Sequence, residues 1–446
     1  MTSNKELFED MPVGKAILTM ALPTILSQMV TLLYNLADTF FVGHTNNPAQ
    51  IAALTLSFPI FMSLTMLGNL FGIGANSLIS RSLGNKDRET ARQTSTFSLY
   101  GGLFVTACWI IILQVFFPQI LHVIGAKTEE VYTATKAYLT WTVVCGGLPT
   151  VASLLLAHNI RGEGNTRQAS IGVALGGILN ILLDPIFVQI MGMGAAGAGL
   201  ATCLSNIVSM CYMISVVLRH KDSVIVWNPL KLRFVPYIMK EVILVGLPAA
   251  MIVILGSSAN IVLTHFMSDY GEVSVAAYGI VQKIGTVTIQ ITVGLTQGIM
   301  PLLGYNYGAR NKTRVRSVTR WSIGILAVYT LLCVVIIEVC ARYLFMAFTG
   351  EINTINLGVV FVRIWILCAF GMCFTNLFNS FFQAMGHWVE ALTISIIRQL
   401  LILIPILILF NKIWGSYGLI ISQPVADTVA LIVGFALYIK IMAREE

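Results

Sequence analysis

Two carboxylic acids sit where apolar helix would be expected. Asp38 lies in Leu33-Tyr34-Asn35-Leu36-Ala37-Asp38-Thr39-Phe40-Phe41, and Tyr34 precedes it by four residues, on the same helical face. Asp184 lies in Asn180-Ile181-Leu182-Leu183-Asp184-Pro185, with Asn180 again one turn earlier. Thr202 follows in Gly197-Ala198-Gly199-Leu200-Ala201-Thr202, beyond a turn centred near Gly192. At 1.5 Å per helical residue, Asp184 and Thr202 both fall about 12–15 Å from that turn. Carboxyls from two helices, an amide and a hydroxyl can therefore meet at one depth. Ligands that are all oxygen suit a hard cation such as sodium. Two acids in low dielectric can instead share one proton, because burial and like charge both disfavour a doubly ionised pair. The residue types leave H⁺ and Na⁺ both open. A further alternative is an Asp paired with a buried base, or one capping a helix broken at Pro185.

The elements that carry these groups are apolar throughout. Of 446 residues, 57% are hydrophobic and 11% charged, and mean hydropathy is +0.82. A soluble domain carries about 25% charged residues, so a cytosolic enzyme, a nucleic-acid binder and a disordered chain are all excluded. Twelve runs are long enough to cross a bilayer, which takes about 20 apolar residues. They lie at roughly 17–41, 51–79, 96–118, 135–157, 168–190, 196–218, 240–267, 274–302, 319–345, 358–384, 391–410 and 417–440. Their continuity, without alternation, excludes a closed barrel. The fold class expected is an all-α polytopic membrane protein. The eight cysteines fall inside these runs with no C-x-x-C pair and read as small buried hydrophobes. The acidic start, Glu6, Glu9 and Asp10, does not read as a cleavable signal peptide. Loop bases on the side of the N-terminus, such as Arg81, Arg161, Arg219, Arg310 and Lys440, outnumber Lys127, Lys136, Arg342 and Lys412 on the other side twenty to four. The positive-inside rule then places both termini in the cytoplasm.

The runs repeat. Ala21-Leu22-Pro23 falls on Gly246-Leu247-Pro248, Asn35 on Asn260, Gly84-Asn85-Lys86 on Gly308-Ala309-Arg310, and Arg161-Gly162 on Met385-Gly386, at offsets of 224 or 225. Six spans per half with the same starting side make a parallel repeat about an axis along the membrane normal. The expected organisation is a first lobe at 1–220 and a second at 221–446. A cytoplasmic linker at about 219–239, holding Lys221, Asn228-Pro229 and Lys231, would join them. Two lobes around a cleft suit alternating access better than a static pore. Pro23, in the helix of Asp38, is a candidate hinge, because proline removes a backbone bond and favours a kink. In the second lobe Lys283, Arg398 and Asp427 lie within spans, as an Arg398–Asp427 lock or as substrate contacts. Glu338 stands four residues before Arg342, a spacing that suits an ion pair. Met62, Met66 and Phe58 are candidates for an adaptable apolar wall.

At these residues the chain resembles the multidrug and toxic compound extrusion (MATE) family, nearest its DinF-like and MepA-like bacterial branches. The resemblance runs through Ala21-Leu22-Pro23, Tyr34 to Asp38, Gly68 to Gly72, Ser80 to Gly84, Arg161-Gly162, Asn180 to Pro185, Gly197 to Thr202 and Pro424 to Asp427. It implies twelve helices in two pseudosymmetric six-helix lobes. It also implies export of organic, often cationic and aromatic drugs in exchange for H⁺ or Na⁺. By the same resemblance Asp38, Asp184, Asn180 and Thr202 form the cation site, and the first helix bends near Pro23. Spans 7 and 10 offer Asn260, Asn376, Asn379 and Gln383 but no central acid, so a second-lobe cation site is not expected. The expectation is a multi-pass antiporter of a bacterial inner membrane, in contact with lipids. It would work as a monomer, without a cofactor beyond its coupling ion and without nucleic acid. A flippase for a lipid-linked precursor, which would line its cleft with cations, has only Lys283 and Arg398 to offer. A membrane-embedded enzyme lacks its marks here: neither paired Asp-rich motifs nor His-Glu-x-x-His occurs.

Overall fold

A computed structural model describes residues 6–45, 47–220, 222–227, 233 and 235–444. Lys221, Asn228, Pro229 and Lys231 of the linker lie outside this set. The described residues are helical almost throughout, as a backbone in lipid must be, since no water is present there to satisfy its polar groups.

The first six spans are α1 (Val13–Gly43), α2 (Pro48–Gly84), α3 (Arg88–Val115), α4 (Glu129–Cys145 and Gly147–Gly162), α5 (Thr166–Ile190) and α6 (Ala195–Arg219). The next four are α7 (Pro236–Ser268), α8 (Glu272–Gly308), α9 (Lys312–Phe348) and α10 (Ile352–Trp365 and Cys368–Met385). The last helical stretch, Trp388–Arg444, has 57 residues, or about 85 Å of helix, far more than the ~30 Å hydrocarbon core. It breaks at Gly415, where φ is 59° and ψ −137°, a conformation open to residues without a Cβ. The two arms, 388–414 and 416–444, are α11 and α12. The helices overrun the apolar windows. At 37 residues, α2 spans about 55 Å and carries Arg81 beyond the membrane at the face where the chain begins, hereafter the terminal face.

Pseudosymmetry is visible in local detail. The α2–α3 turn has Lys86 at φ 62° and the α8–α9 turn has Arg310 at φ 57°. In each, the next residue caps the following helix: Asp87 accepts from Thr90 N and Asn311 from Arg314 N. A side-chain oxygen there satisfies an orphan N–H of the first turn. Bends match as well, 47° in α4 and 45° in α10. In contrast, Pro23, Pro59, Pro248 and Pro301 all lie inside helices that continue through them. These prolines therefore do not interrupt their helices in this conformation.

The lobes meet on the terminal side. Arg81 of α2 pairs with Glu241 of α7 at 2.8 Å, and Ser77 Oγ donates to the Gln383 carbonyl of α10. The helical turn Glu6–Asp10 lies across this seam. Phe8 is fully buried, stacks on Tyr305 at 4.4 Å and lies against Gly164. Tyr305 donates its hydroxyl to Glu9 (2.7 Å) and Arg314 donates to the Met11 carbonyl (2.7 Å). Large apolar side chains such as Phe104, Val339 and Tyr343 are exposed on the outside, the pattern of a surface solvated by lipid.

Candidate functional site

The first-lobe helices turn polar stripes at helical spacing toward one cavity of about 360 Å³. Gln28, Thr31 and Tyr34 come from α1, Thr150, Ser153, His158 and Arg161 from α4, Asn180 from α5, and Thr202, Ser205, Asn206 and Ser209 from α6. Gln290 and Gln297 of α8 close it from the second lobe. Residues three and four apart share a helix face, so each stripe is the solvated side of a helix whose other faces meet neighbours or lipid. Of the apolar candidates, Met62 lines the cavity beside Phe61. Phe58 is 57% exposed, and neither it nor Met66 is among the lining residues.

Small residues bring the acids together. A Cβ on Gly177 of α5 would stand 2.7 Å from Val30 Cγ1 and 3.2 Å from Tyr34 Cδ1 of α1, so only glycine permits this approach. About two turns further along each helix, beyond Val30 and Gly177, Asp38 and Asp184 come close enough to interact directly, with Asn180 beside Asp38. Asp38 is 8% exposed and Asp184 0%. Asn180 Nδ2 donates to Thr202 Oγ1 at 3.3 Å, and Thr202 donates to the Ala198 carbonyl at 3.0 Å. Asp184 is followed by Pro185 and a wide-turned segment, Pro185–Ile190; proline supplies no N–H there.

The electrostatics follow from counting donors. Asp38 Oδ1, both Asp184 oxygens and Asn180 Oδ1 are buried and accept no hydrogen bond. Two ionised carboxylates cannot bond each other, so the cluster has acceptors in excess, and uncompensated buried charge is costly. A proton between the carboxyls, or a hard cation held by the carboxylates, Asn180 Oδ1 and Thr202 Oγ1, would match this donor set. Tyr138 of α4 adds a phenol within electrostatic range of Asp38, Asp184 and Tyr34. Sequence reading missed it, because a lone Tyr in an apolar run has no distinguishing signal.

The second lobe differs. Arg398, in a wide-turned part of α11, donates to Asp427 of α12. Asp427 is 2% exposed. Lys283 is exposed and does not join this pair. Glu338 pairs with Arg363 at 3.3 Å rather than with Arg342: the partner sits on the neighbouring α10, which sequence spacing along α9 cannot reveal. Two bases counted as end-of-helix residues also belong to the first-lobe cavity: His158 and Arg161 are 2% and 3% exposed. Their signal was the α4 stripe Thr150, Ser153, Ala157 and Arg161 at three- and four-residue steps, with His158 three residues before Arg161.

The sequence profile of the MatE family matches this chain over residues 23–186 and 248–409. The chain belongs to the MatE family. Among similar MatE-type proteins are Multidrug export protein MepA of Staphylococcus aureus (strain MSSA476), 29% identical over 426 residues, covering 95% of this chain and 92% of that protein. The protein of the same name from Staphylococcus saprophyticus is 30% identical over 428 residues, with 95% and 92% covered. A solved MATE structure in complex with MaL6 superposes with a TM-score of 0.94 at 26% identity, over 100% of this chain and 99% of that one. Twelve helices in two pseudosymmetric lobes are thus the MATE fold.

Proposed function

We propose that this MatE-family chain is a secondary active antiporter of a bacterial cell membrane, with both termini cytoplasmic. It exports small organic compounds, cationic or amphipathic, in exchange for H⁺ or Na⁺. The observation that carries this reading is the convergence of buried oxygens without hydrogen-bond donors at Asp38, Asp184 and Asn180, one helical turn from a polar cavity bounded by both lobes. A cation or proton there removes the charge excess, so its binding free energy differs between conformations of α1 that do and do not hold it against α5. That difference is all a ligand needs to shift a conformational equilibrium. Tyr34 lies between the acids and the cavity and would relay occupancy to the substrate space. Pro23 sits 15 residues before Asp38 in α1 and is the hinge at which this helix would bend.

The sealed terminal side and the Arg81–Glu241 pair fit a state closed to the cytoplasm. The other state requires that seam to part. The test is transport by purified protein in proteoliposomes of a cationic dye, with ΔpH and ΔNa⁺ imposed separately. Gradient-driven dye movement under at least one of them is expected. Dye movement indifferent to both gradients would overturn the reading.

A further inference from the structure

Arg161 stands at the end of the cavity away from the acids. From Thr166, at the start of α5, to Asn180 is fourteen residues, or about 20 Å of helix. Arg161, five residues before Thr166 in the chain, lines the same cavity as Asn180. The guanidinium is 3% exposed, and its Nε is buried without a hydrogen-bond partner. Among the described residues it has no ion pair, whereas Arg398 in the other lobe, whose side chain is 21% exposed, has Asp427. The nearest acid in sequence, Glu163, is turned to the linker, accepting from Ser223 Oγ at 2.8 Å and from Val224 N. One turn along α4, His158 is 2% exposed and its Nδ1 is also without a partner. Thr150 Oγ1 and Ser205 Oγ, both on the cavity wall, are unpartnered too.

A buried cation with no counter-charge is destabilising. A guanidinium retains its charge at any working pH, and its planar fork matches a carboxylate. We propose that Arg161, with His158 beside it, is an oxyanion subsite. It takes the carboxylate of a zwitterionic amphipathic substrate whose aromatic, cationic part extends toward Tyr34 and the acid pair. The proposal rests on the export reading above and names the substrate class for that cavity. The cavity would then be bipolar, with a base at the inner end and two acids one turn beyond the outer end. A purely cationic drug would satisfy one end only.

The experiment is fluorescence-anisotropy binding to the purified full-length protein, at fixed pH, of a rhodamine free acid and its methyl ester. The two probes share one cationic xanthylium ring and differ by a single carboxylate. Wild type is expected to bind the free acid more tightly. Arg161→Gln is expected to weaken the free acid by about tenfold or more, the scale of a charge-assisted hydrogen bond. It should strengthen the ester, because a positive charge facing a cation is gone. Arg161→Lys should retain part of the preference. Wild-type preference for the ester, or loss of both probes in parallel in Arg161→Gln, overturns the subsite while leaving the export reading in place. The wild-type comparison stands even where the variant fails to fold. Failure of wild type to bind either probe contradicts the subsite and the export reading together.

Discussion

The lobes are held together on the terminal side by two helices that touch backbone to backbone, and this contact can be perturbed by one methyl group. A Cβ built on Gly246 of α7 would stand 1.7 Å from the Leu70 carbonyl oxygen of α2, and one on Gly74 of α2 1.9 Å from the Val242 carbonyl oxygen of α7. The two contacts are reciprocal and one helical turn apart. Gly246→Ala must therefore move the helices from 1.7 Å to an ordinary 3.4 Å, a parting of about 1.7 Å, while they are packed. Overpacking of this kind costs about 1–3 kcal/mol. In a state with the terminal side open, α2 and α7 are apart and the methyl costs nothing. The difference shifts the balance between states by about 5- to 150-fold toward opening, at 1.4 kcal/mol per factor of ten. Spin labels on cysteines at Glu89 and Lys312, one on each lobe and both on the terminal face, report the parting by pulsed dipolar spectroscopy in a background lacking the native cysteines. Gly246→Ala should add a longer-distance population. Gly324→Ala, where a Cβ meets nothing within 4 Å, should not. A Gly246→Ala distribution identical to wild type, or the same change in Gly324→Ala, would refute the packing account of the seam.

Other outcomes follow from the same contacts. Arg398→Leu leaves Asp427 buried and unpaired and should cost about 3–5 kcal/mol, read as a lower melting temperature in detergent; joint replacement of both residues by apolar ones should recover much of it. Phe8→Ala removes a fully buried ring from between the lobes and should expose the seam, seen as faster maleimide labelling of a Ser80→Cys probe, itself 0% exposed in the parent residue; unchanged labelling would count against a sealing role. Glu163 lies in the α4–α5 turn, where burial outweighs the bonds donated by Ser223 and Val224 and moves its carboxyl up to about 7. A raised acid binds its proton more tightly in the folded state, so this group's contribution is present at low pH and is lost as pH rises from 4.5 toward about 7. Glu163→Gln should flatten the dependence of thermal stability on pH in that window, and an unaltered slope would refute the assignment.

Much of this was legible in the residues because lipid makes composition informative. Long apolar runs set the spans, and the depth arithmetic around Gly192 set Thr202 near Asp184; the structure bonds Thr202 to Asn180, one turn before that acid. What the sequence concealed was of two kinds. Helix ends beyond the bilayer, as at Arg81, have no hydropathy signal, so the windows stopped short. Partners across helices obey packing rather than spacing: Glu338 reaches Arg363 on α10 rather than Arg342 on its own helix, and Lys283, although inside a span, is exposed and stands apart from the Arg398–Asp427 pair. Arg161 shows the limit most clearly. Counted among the loop bases it supported topology, yet its side chain turns inward along the α4 stripe. A charge near a helix end can serve either role, and only its burial separates them.

If ion binding at Asp38 and Asp184 is exchanged for substrate, a substrate gradient alone must drive ion flux. Proteoliposomes are loaded with a cationic dye against none outside, with no ion gradient, and H⁺ or Na⁺ movement is followed with an entrapped indicator. Wild type should move one of these ions opposite to the dye in fixed proportion, and Asp38→Asn with Asp184→Asn should abolish that ion flux. Dye flux without ion flux in wild type, or ion flux that survives in the double variant, would contradict that exchange.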